Sequence, residues 1–448
     1  MKKNITIIGA GLVGSLLGIY LRKRGYAVSI YEKRADMRLQ QMSAGRSINL
    51  ALSDRGIVAL QEVGILKEVL DIAIPMPGRF IHNVDGSSTL QPYGKEGQAI
   101  NSVSRGELNA KLMNLAEENQ VKIFFNHACE NIDWNSNSIQ FCKEESNEKV
   151  VVKSDIIFAA DGAFSAARLS HMLSHNKFDY QQYYIDCGYK ELTIPAGENN
   201  SFKIDKNALH IWPRNEFMLI ALPNMDGSFT CTLFFPFEGE LSFEKLKTND
   251  EVERFFNNTF PDVVQLIPDV TQQYFANPTS SLVTVKCYPW VRNNSFCLIG
   301  DAAHAVVPFY GQGMNCGFED CAVLNNLLDV YKDDWDVALE KFQELRKIDA
   351  DAIADMAIDN FTEMRAKVAN PKFLLQKKIE TKLHAKYSSL WIPQYSQVTF
   401  SPHIRYSEAK KNGVKQEKIM QEIMQIQNIE TIWDSSEIED LILQKLKS

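Results

Sequence analysis

The stretch Gly9-Ala10-Gly11-Leu12-Val13-Gly14, set between Ile5-Thr6-Ile7-Ile8 and Val28-Ser29-Ile30-Tyr31-Glu32, decides the fold. The first apolar run suits a buried parallel strand. Gly9 makes the tight turn, Gly11 lets a pyrophosphate approach the backbone, and Gly14 lets the following helix pack on the strand. That helix, beginning near Leu12, turns its free N–H groups toward the phosphates. The second apolar run ends in Glu32, whose carboxylate can accept hydrogen bonds from a ribose diol. An acid there favours FAD or NAD over a phosphorylated ribose. A glycine fingerprint alone is weak, and an unrelated glycine turn is its alternative. The flanking strands and the spaced acid supply the context it needs.

Composition sets the frame. A chain of 448 residues can bury a large core and should hold two or three domains. The net charge of −8 argues against a nucleic-acid partner. Met1-Lys2-Lys3-Asn4 runs straight into the first strand, so no signal peptide is expected. No apolar run reaches about 18 residues, so no membrane span is expected. The eight cysteines form no Cys-x-x-Cys pair and read as reduced, mostly buried thiols in a cytosol. His171 and His175 could share a helix face, but with no further ligand nearby they read as ordinary surface histidines, and no metal is expected.

Two later segments choose between dinucleotides. Asp155-Ile156-Ile157-Phe158-Ala159-Ala160-Asp161-Gly162 is a buried strand with an Asp-Gly end, followed by Ser165 and Arg168 on a helix. Phe296-Cys297-Leu298-Ile299-Gly300-Asp301 is another such strand. Pro308-Phe309-Tyr310-Gly311-Gln312-Gly313-Met314-Asn315 then opens a long helix through Leu328. Asp301 suits ribityl hydroxyls, and the helix start near Gly313 suits negative charge on the N1–C2=O edge of a reduced flavin. Each segment alone could be a buried strand with a polar terminus.

Together these three motifs resemble the single-component flavin aromatic hydroxylases, which use one dinucleotide fold for FAD. Gly45-Arg46-Ser47-Ile48-Asn49-Leu50-Ala51-Leu52-Ser53, Val103-Ser104-Arg105, Val307 to Asn315, Asn360-Phe361-Thr362-Glu363-Met364-Arg365 and Val398-Thr399-Phe400 resemble the kynurenine 3-monooxygenase family in particular. The likeness runs from about residue 5 to about residue 410. It implies an α/β fold: a Rossmann-like FAD-binding domain in segments 1–75, 100–180 and 290–330, a mixed or antiparallel-sheet substrate domain in 76–99 and 181–289, and a helical C-terminal region over 331–448. It implies non-covalent FAD, with NADPH as transient reductant and O2 as co-substrate. The implied reaction hydroxylates L-kynurenine to 3-hydroxy-L-kynurenine through a flavin C4a-hydroperoxide, in tryptophan degradation and pyridine-nucleotide (quinolinate) biosynthesis. Val13, Glu32, Lys33, Arg34, Ala51, Arg105, Asp301, Met314 and Asn315 match family positions that contact FAD. Gly9, Gly11, Gly14, Tyr31, Asp161 and Gly313 complete the expected cofactor set. Arg79, Tyr93, Asn360 and Tyr395 match positions that hold the amino-acid end of kynurenine. Phe309, Tyr310 and Gly311 line the loop between flavin and substrate, and Tyr310 departs from the Phe of some members. No side chain is expected to act as acid or base, because the flavin carries the chemistry.

The residues themselves agree with these roles and keep their alternatives. Arg79 can clamp a carboxylate with two parallel donors, or be a surface arginine. Tyr93 and Tyr395 can add hydroxyl donors, and Tyr93 before Gly94 could simply pack a turn. Asn360 can bond an amine or a carboxylate. Glu363 and Met364, one helical turn on, could line the pocket or belong to a helix face. Competing functions are a FAD-dependent hydroxylase of another anthranilate-like or phenolic acid, and a flavin redox or binding module without hydroxylation.

Asn224-Met225-Asp226-Gly227 reads as a hairpin turn, and Pro371 falls between two helices. Ile419, Ile423 and Ile426 lie at helical spacing in the tail. The tail is expected to fold back on the body or cover the substrate entrance, with a contact between two copies and, after it, binding to a membrane surface as the alternatives. Eukaryotic members end in a hydrophobic anchor. This chain ends in a polar, lysine-rich stretch, so a cytoplasmic protein without membrane attachment is expected.

Overall fold

The computed structural model describes residues 2–39, 48–364 and 370–447. Gly45, Arg46, Ser47 and Arg365 of the motifs above lie outside the described residues. The architecture is α/β, as the sequence implies.

The first sheet has six strands in the order Val291–Arg292, Phe296–Leu298, Ile156–Ala159, Asn4–Ile8 (β1), Ala27–Tyr31 (β2), Lys122–Phe124. All its pairings are parallel except that of the two-residue strand at the edge. Parallel strands are buried on both faces, and Ile5 to Ile8 of β1 with Ile156–Ala159 show that as unbroken buried runs. Helix α1, Leu12–Lys23, packs on this sheet. The three motif carboxylates lie at the carboxyl ends of strands in this one sheet: Glu32 after β2, Asp161 after Ile156–Ala159, and Asp301 after Phe296–Leu298. A crevice outside the carboxyl ends of such strands is where open α/β sheets bind ligands.

The second sheet has seven strands, in the order Thr279–Tyr288, Asp179–Ile194, Phe229–Pro236, Phe217–Pro223, Ala208–Arg214, Gly78–His82, Ser88–Pro92. It is mixed, because Gly78–His82 pairs parallel to Ala208–Arg214 and the other pairings are antiparallel. Asn224 to Gly227 forms the expected hairpin turn, with Gly227 at φ +87°. Side chains alternate faces along a strand. Phe217, Leu219 and Ala221 join Trp212, Leu233 and Phe235 against the helices of 249–276. Met218 and Ile220 point the other way, with Ile211 and Phe234, toward Phe309, Tyr310 and Phe361. One face therefore stabilises the sheet while the other builds a site.

A three-stranded sheet is formed by Asn49–Leu52, Ile100–Ser104 and Ala73–Met76, with Ile100–Ser104 in the middle. Asn49 Nδ2 donates to Asn224 Oδ1 (2.7 Å) and to the Pro223 carbonyl (3.1 Å), tying it to the hairpin. The C-terminal part is helical from Trp335, and Pro371 stands at the first position of Pro371–Lys386. Ile419, Met420 and Ile423 pack with Ile379, Leu383, Trp391, Ile438 and Ile442. The tail thus closes a small core of its own against the Pro371–Lys386 helix. No described helix is long and apolar enough to cross a membrane.

One expectation needs correction. His171 is not a surface histidine. It is fully buried among Trp134, Phe178 and Phe296, and burial pushes its pKa down to about 4. The apolar side of its helix, against the sheet edge, claims the ring.

Candidate active site

The glycine turn is shaped by close approach. Gly9 has φ +102°, and a β-carbon there would sit 2.6 Å from the Ala160 carbonyl oxygen. A β-carbon on Gly14 would stand 2.1 Å from the Gly9 oxygen. Gly11 differs: a β-carbon there would meet nothing within 4 Å. It is the N-cap of α1, with no side-chain cap and no acid in the first turn. Open space therefore lies in front of free N–H groups and the positive end of a helix dipole, as a pyrophosphate requires.

Glu32 is buried beside this turn. Its carboxylate accepts from the Ala10 N–H (2.9 Å) and from the Arg34 N–H (3.0 Å) and Nε (2.7 Å). Burial pushes its pKa up, but the Arg34 hydrogen bond and charge and the two N–H groups outweigh that and hold it below the usual range. Two carboxylate oxygens offer about four lone-pair sites, three of them used here, so capacity remains for a ribose hydroxyl. Lys33, Arg34 and Arg105 are exposed. Tyr31 contributes differently: its ring lies between Phe124 (4.7 Å) and Phe141 (4.3 Å), and its carbonyl accepts the Gly9 N–H (2.8 Å). Asp161 is committed to the chain, accepting from Ser165 Oγ (2.5 Å) and the Ala167 N–H (3.2 Å).

The other two motifs close around the same crevice. Asp301 is exposed after Gly300, which has φ +60°. Val13 packs where a β-carbon on Gly300 or Gly317 would fall, at 3.0 and 2.5 Å from its Cγ2. Arg168 Nη1 donates to the Ala302 carbonyl (2.8 Å), joining the Asp161 and Asp301 motifs. The Gly313–Val330 helix starts with no side-chain cap and no acid in its first turn. Asn315 is fully buried, and its amide is spent on the protein: Oδ1 accepts the Ser53 N–H (2.9 Å), and Nδ2 donates to the Ala51 and Gly311 carbonyls (both 2.8 Å). What Gly313, Met314 and Asn315 offer a ligand is the open end of their helix. These features fit FAD: open backbone donors at two helix starts, a ribose acceptor and an exposed carboxylate at one sheet end.

Three of the four expected substrate residues cluster beyond that helix start. The Arg79 guanidinium lies over the Tyr395 ring (4.6 Å) and the Tyr93 ring (5.1 Å). Tyr93 and Tyr395 stack at 5.4 Å, and Tyr395 stacks on Tyr310 at 5.5 Å. Burial opposes the Arg79 charge, but the Tyr395 and Tyr93 hydroxyls and Glu363 outweigh it and keep the guanidinium charged. The Tyr93 hydroxyl faces Arg79 and Tyr395, yet it is buried and makes a well-formed hydrogen bond to neither. A buried hydroxyl without a partner is costly, and a polar ligand would satisfy it. Asn360 acts on the loop instead: Nδ2 donates to the Phe309 carbonyl (2.6 Å). Phe309 also stacks on Phe361 (4.1 Å) and tilts on Phe234 (4.9 Å).

Glu363 is the charged neighbour the sequence left undecided. It lies at the end of the Trp335–Thr362 helix, within Coulomb reach of Arg79 and Tyr310, and 4.0 Å from Lys377 Nζ. Its spacing from Asn360 was the available signal. Phe400, Ser53 and Gln312, which lie in the motif segments without an assigned role, also shape the site, as does Tyr406, which no motif marks. His304, Cys316 and Asp320 stand close enough to share a cation. Arg346 already occupies that place: Nε donates to Asp320 (2.7 Å) and Nη2 to Cys316 Sγ (3.2 Å). Asp320 also holds His304 protonated against the effect of burial.

Comparison with known proteins agrees with this geometry. A family model described as an FAD binding domain matches residues 2–357. Kynurenine 3-monooxygenase of Christiangramia forsetii is 49% identical over 447 residues, covering 100% of this chain and 99% of its own. The chain belongs to the kynurenine 3-monooxygenase family. Members of that family with 50% identity over 447 residues in Flavobacterium psychrophilum and 43% over 422 residues in Sus scrofa are also similar, the latter over 94% of this chain and 88% of its own. Membership makes this chain an FAD-dependent monooxygenase. Among solved structures, 2-methyl-3-hydroxypyridine-5-carboxylic acid oxygenase matches with TM-score 0.68 at 18% identity, over 86% of this chain and 98% of that one. That likeness shows the fold.

Proposed function

We propose that the chain hydroxylates L-kynurenine to 3-hydroxy-L-kynurenine, with NADPH as reductant and O2 as co-substrate. Family membership supports the reaction class. The observation that carries the substrate is the cluster of Arg79, Tyr93, Tyr395 and Glu363 beside the loop Phe309–Gly311. An α-amino acid brings one negative and one positive group on one carbon. Arg79 and Glu363 offer the opposite pair, and the unpartnered Tyr93 hydroxyl supplies a donor. Arg79 is preorganised by two ring faces, so little freedom is lost when it clamps a carboxylate.

FAD is held by Gly9, Gly11, Val13 and Gly14 at the pyrophosphate turn, by Glu32 with Lys33 and Arg34 at the ribose, and by Ala51, Arg105, Asp301 and the Gly313–Asn315 helix start. Tyr31 and Asp161 support that cradle from behind. Bound FAD supplies the redox chemistry: acceptance of hydride from NADPH and passage of one oxygen atom of O2 to the ring. The chain's own tasks are orientation, exclusion of water and charge stabilisation. Asn360 fixes the Phe309 carbonyl and with it the loop. Phe309, Tyr310 and Phe400 wall the site, and the helix start at Gly313 favours negative charge on a reduced cofactor. The ring amine of kynurenine activates its own ortho carbon, so no side chain need remove a proton.

The domain division follows: 1–75, 100–180 and 290–330 for FAD, 76–99 and 181–289 for substrate, and 331–448 as the helical region. The test is direct. Purified protein with FAD, NADPH and L-kynurenine should form a product heavier by one oxygen atom, and NADPH oxidation should rise on adding kynurenine. A yellow protein that ignores kynurenine but hydroxylates a phenolic acid would replace this substrate, and one that hydroxylates nothing would replace the reaction.

A further inference from the structure

A buried ionic chain joins the substrate wall to the flavin-side turn, and Arg55 is its first link. Arg55 lies in the Asp54–Glu62 helix and has a fully buried side chain. Its Nε donates to the Val398 carbonyl (2.7 Å), and its Nη2 to the carbonyls of Gln397 (3.3 Å) and Ile404. Its Nη1 pairs with Glu319 Oε1 (2.6 Å), and its plane covers the Tyr406 ring at 4.0 Å. Every guanidinium nitrogen donates, to two parts of the chain more than 250 residues away in sequence.

From Glu319 the chain continues. Glu319 Oε2 pairs with Arg346 Nη1 (2.6 Å), Arg346 Nε with Asp320 Oδ1 (2.7 Å), and Asp320 Oδ2 accepts from His304 (2.6 Å) and the Gly300 N–H (3.1 Å). Tyr406 makes a second connection, donating to Gln312 Oε1 (2.8 Å). Gln312 immediately precedes the Gly313–Val330 helix, and Ser53, which immediately precedes the Arg55 helix, donates its N–H to Asn315 Oδ1 (2.9 Å). Two of the carbonyls that Arg55 holds lie within the Gln394–Phe400 helix, which carries Tyr395 and Phe400, and the third lies just after it.

We propose that Arg55 is a positioning residue for hydroxylation, pinning the 394–406 segment so that Tyr395 keeps its place against Arg79 and Tyr310. Arg55 touches neither cofactor nor substrate. It fixes the distance between the substrate wall and the Phe309–Gly311 loop. One planar guanidinium serves three carbonyls and a carboxylate at once, and an ammonium cannot reproduce that fork. This role rests on the proposed kynurenine reaction, but one of its readouts does not.

The experiment compares wild-type protein with Arg55→Lys and with Tyr406→Phe, which keeps the ring under the guanidinium and removes only the bond to Gln312. Amide hydrogen exchange is measured without substrate. Residues 394–406 should exchange faster in both variants, while residues 4–31 exchange as in wild type. In FAD-replete protein, Arg55→Lys should raise the kynurenine KM at least tenfold and release more of the NADPH reducing equivalents as hydrogen peroxide. Its kcat should change less, its FAD affinity should stay within twofold, and Tyr406→Phe should move in the same direction by a smaller factor. Unchanged exchange at 394–406 would overturn the proposal. So would loss of FAD with KM and peroxide yield unchanged, the signature of a purely structural role. Should Arg55→Lys fail to fold, Tyr406→Phe decides alone by the same measures. If wild-type protein ignores kynurenine, the substrate reading fails while the exchange result still judges the pin.

Discussion

Replacing Gly11 and Gly14 by alanine separates what the glycine turn does for the fold from what it does for the cofactor. At Gly14 the new β-carbon would lie 2.1 Å from the Gly9 oxygen, more than 1 Å inside van der Waals contact. The strand-to-helix packing must open, and overpacking of this kind costs about 1–3 kcal/mol or more. At Gly11 the same carbon meets nothing within 4 Å, and φ −71° is open to any residue. Reduced freedom of the unfolded chain favours Gly11→Ala by about 0.4–1 kcal/mol. The poorer N-cap preference of alanine offsets part of that gain. Gly11→Ala should therefore leave the stability of the apoprotein within about 0.5 kcal/mol of wild type. FAD binding should fall, because the methyl occupies the space in front of the α1 amides. Loss of one charge-assisted hydrogen bond to phosphate costs about 1.5–3 kcal/mol, roughly a ten- to hundredfold weaker Kd. The assay is thermal unfolding of apoprotein with and without added FAD, together with titration of flavin fluorescence quenching. Wild-type FAD affinity in Gly11→Ala would refute the assignment of this space to a pyrophosphate. Destabilisation of apo Gly11→Ala equal to that of Gly14→Ala would refute the packing argument.

Further outcomes are expected at three residues. Arg79→Met should weaken kynurenine binding by the roughly 2–5 kcal/mol that truncation of a desolvated charge pair costs, with Arg79→Lys in between and FAD content normal; equilibrium binding to FAD-replete protein measures this. Glu32→Ala should weaken FAD by about 1.5–3 kcal/mol through loss of charged acceptors. Because its folded pKa is depressed, the contribution of Glu32 to stability is complete above the ordinary carboxylate range and lost as pH falls through the lower folded value, so the acid unfolding curve of Glu32→Gln should lie flatter there. Glu439, paired with Lys382 (2.6 Å) and Lys386 (2.5 Å), is pulled down to about 2 by those hydrogen bonds. The docking of the Ser436–Lys447 helix should weaken as pH falls from the usual glutamate range toward 2, and Glu439→Gln should lower Tm at neutral pH but remove that acid dependence.

The cofactor half of this protein was legible in the sequence because its logic is local. A tight turn, a strand end and a helix start are set by residues close together in the chain. Gly9, Gly14, Glu32 and Gly313 can therefore be read from spacing and residue type. Arg79, Tyr93 and Tyr395 were found through family likeness; spacing along the chain alone does not bring together three residues spread over more than 300 positions. Only the tertiary structure decided how side chains at those positions are spent. Asn315 and Asn360 look alike in a sequence, as polar residues near a site, yet one knits Ser53, Ala51 and Gly311 together and the other holds the Phe309 carbonyl. Tyr31 ends an apolar strand as an exposed tyrosine could, but two phenylalanines from other segments claim its ring. His171 was misread for the same reason, since Trp134, Phe178 and Phe296 reach it from elsewhere in the chain. Arg55 carries no motif at all. Its partners at Glu319, Val398 and Ile404 reach it only once segments more than 250 residues later in the chain have folded against its helix. Covalent neighbours determine backbone shape at a turn, whereas the partner of a buried charge is chosen by packing among distant segments.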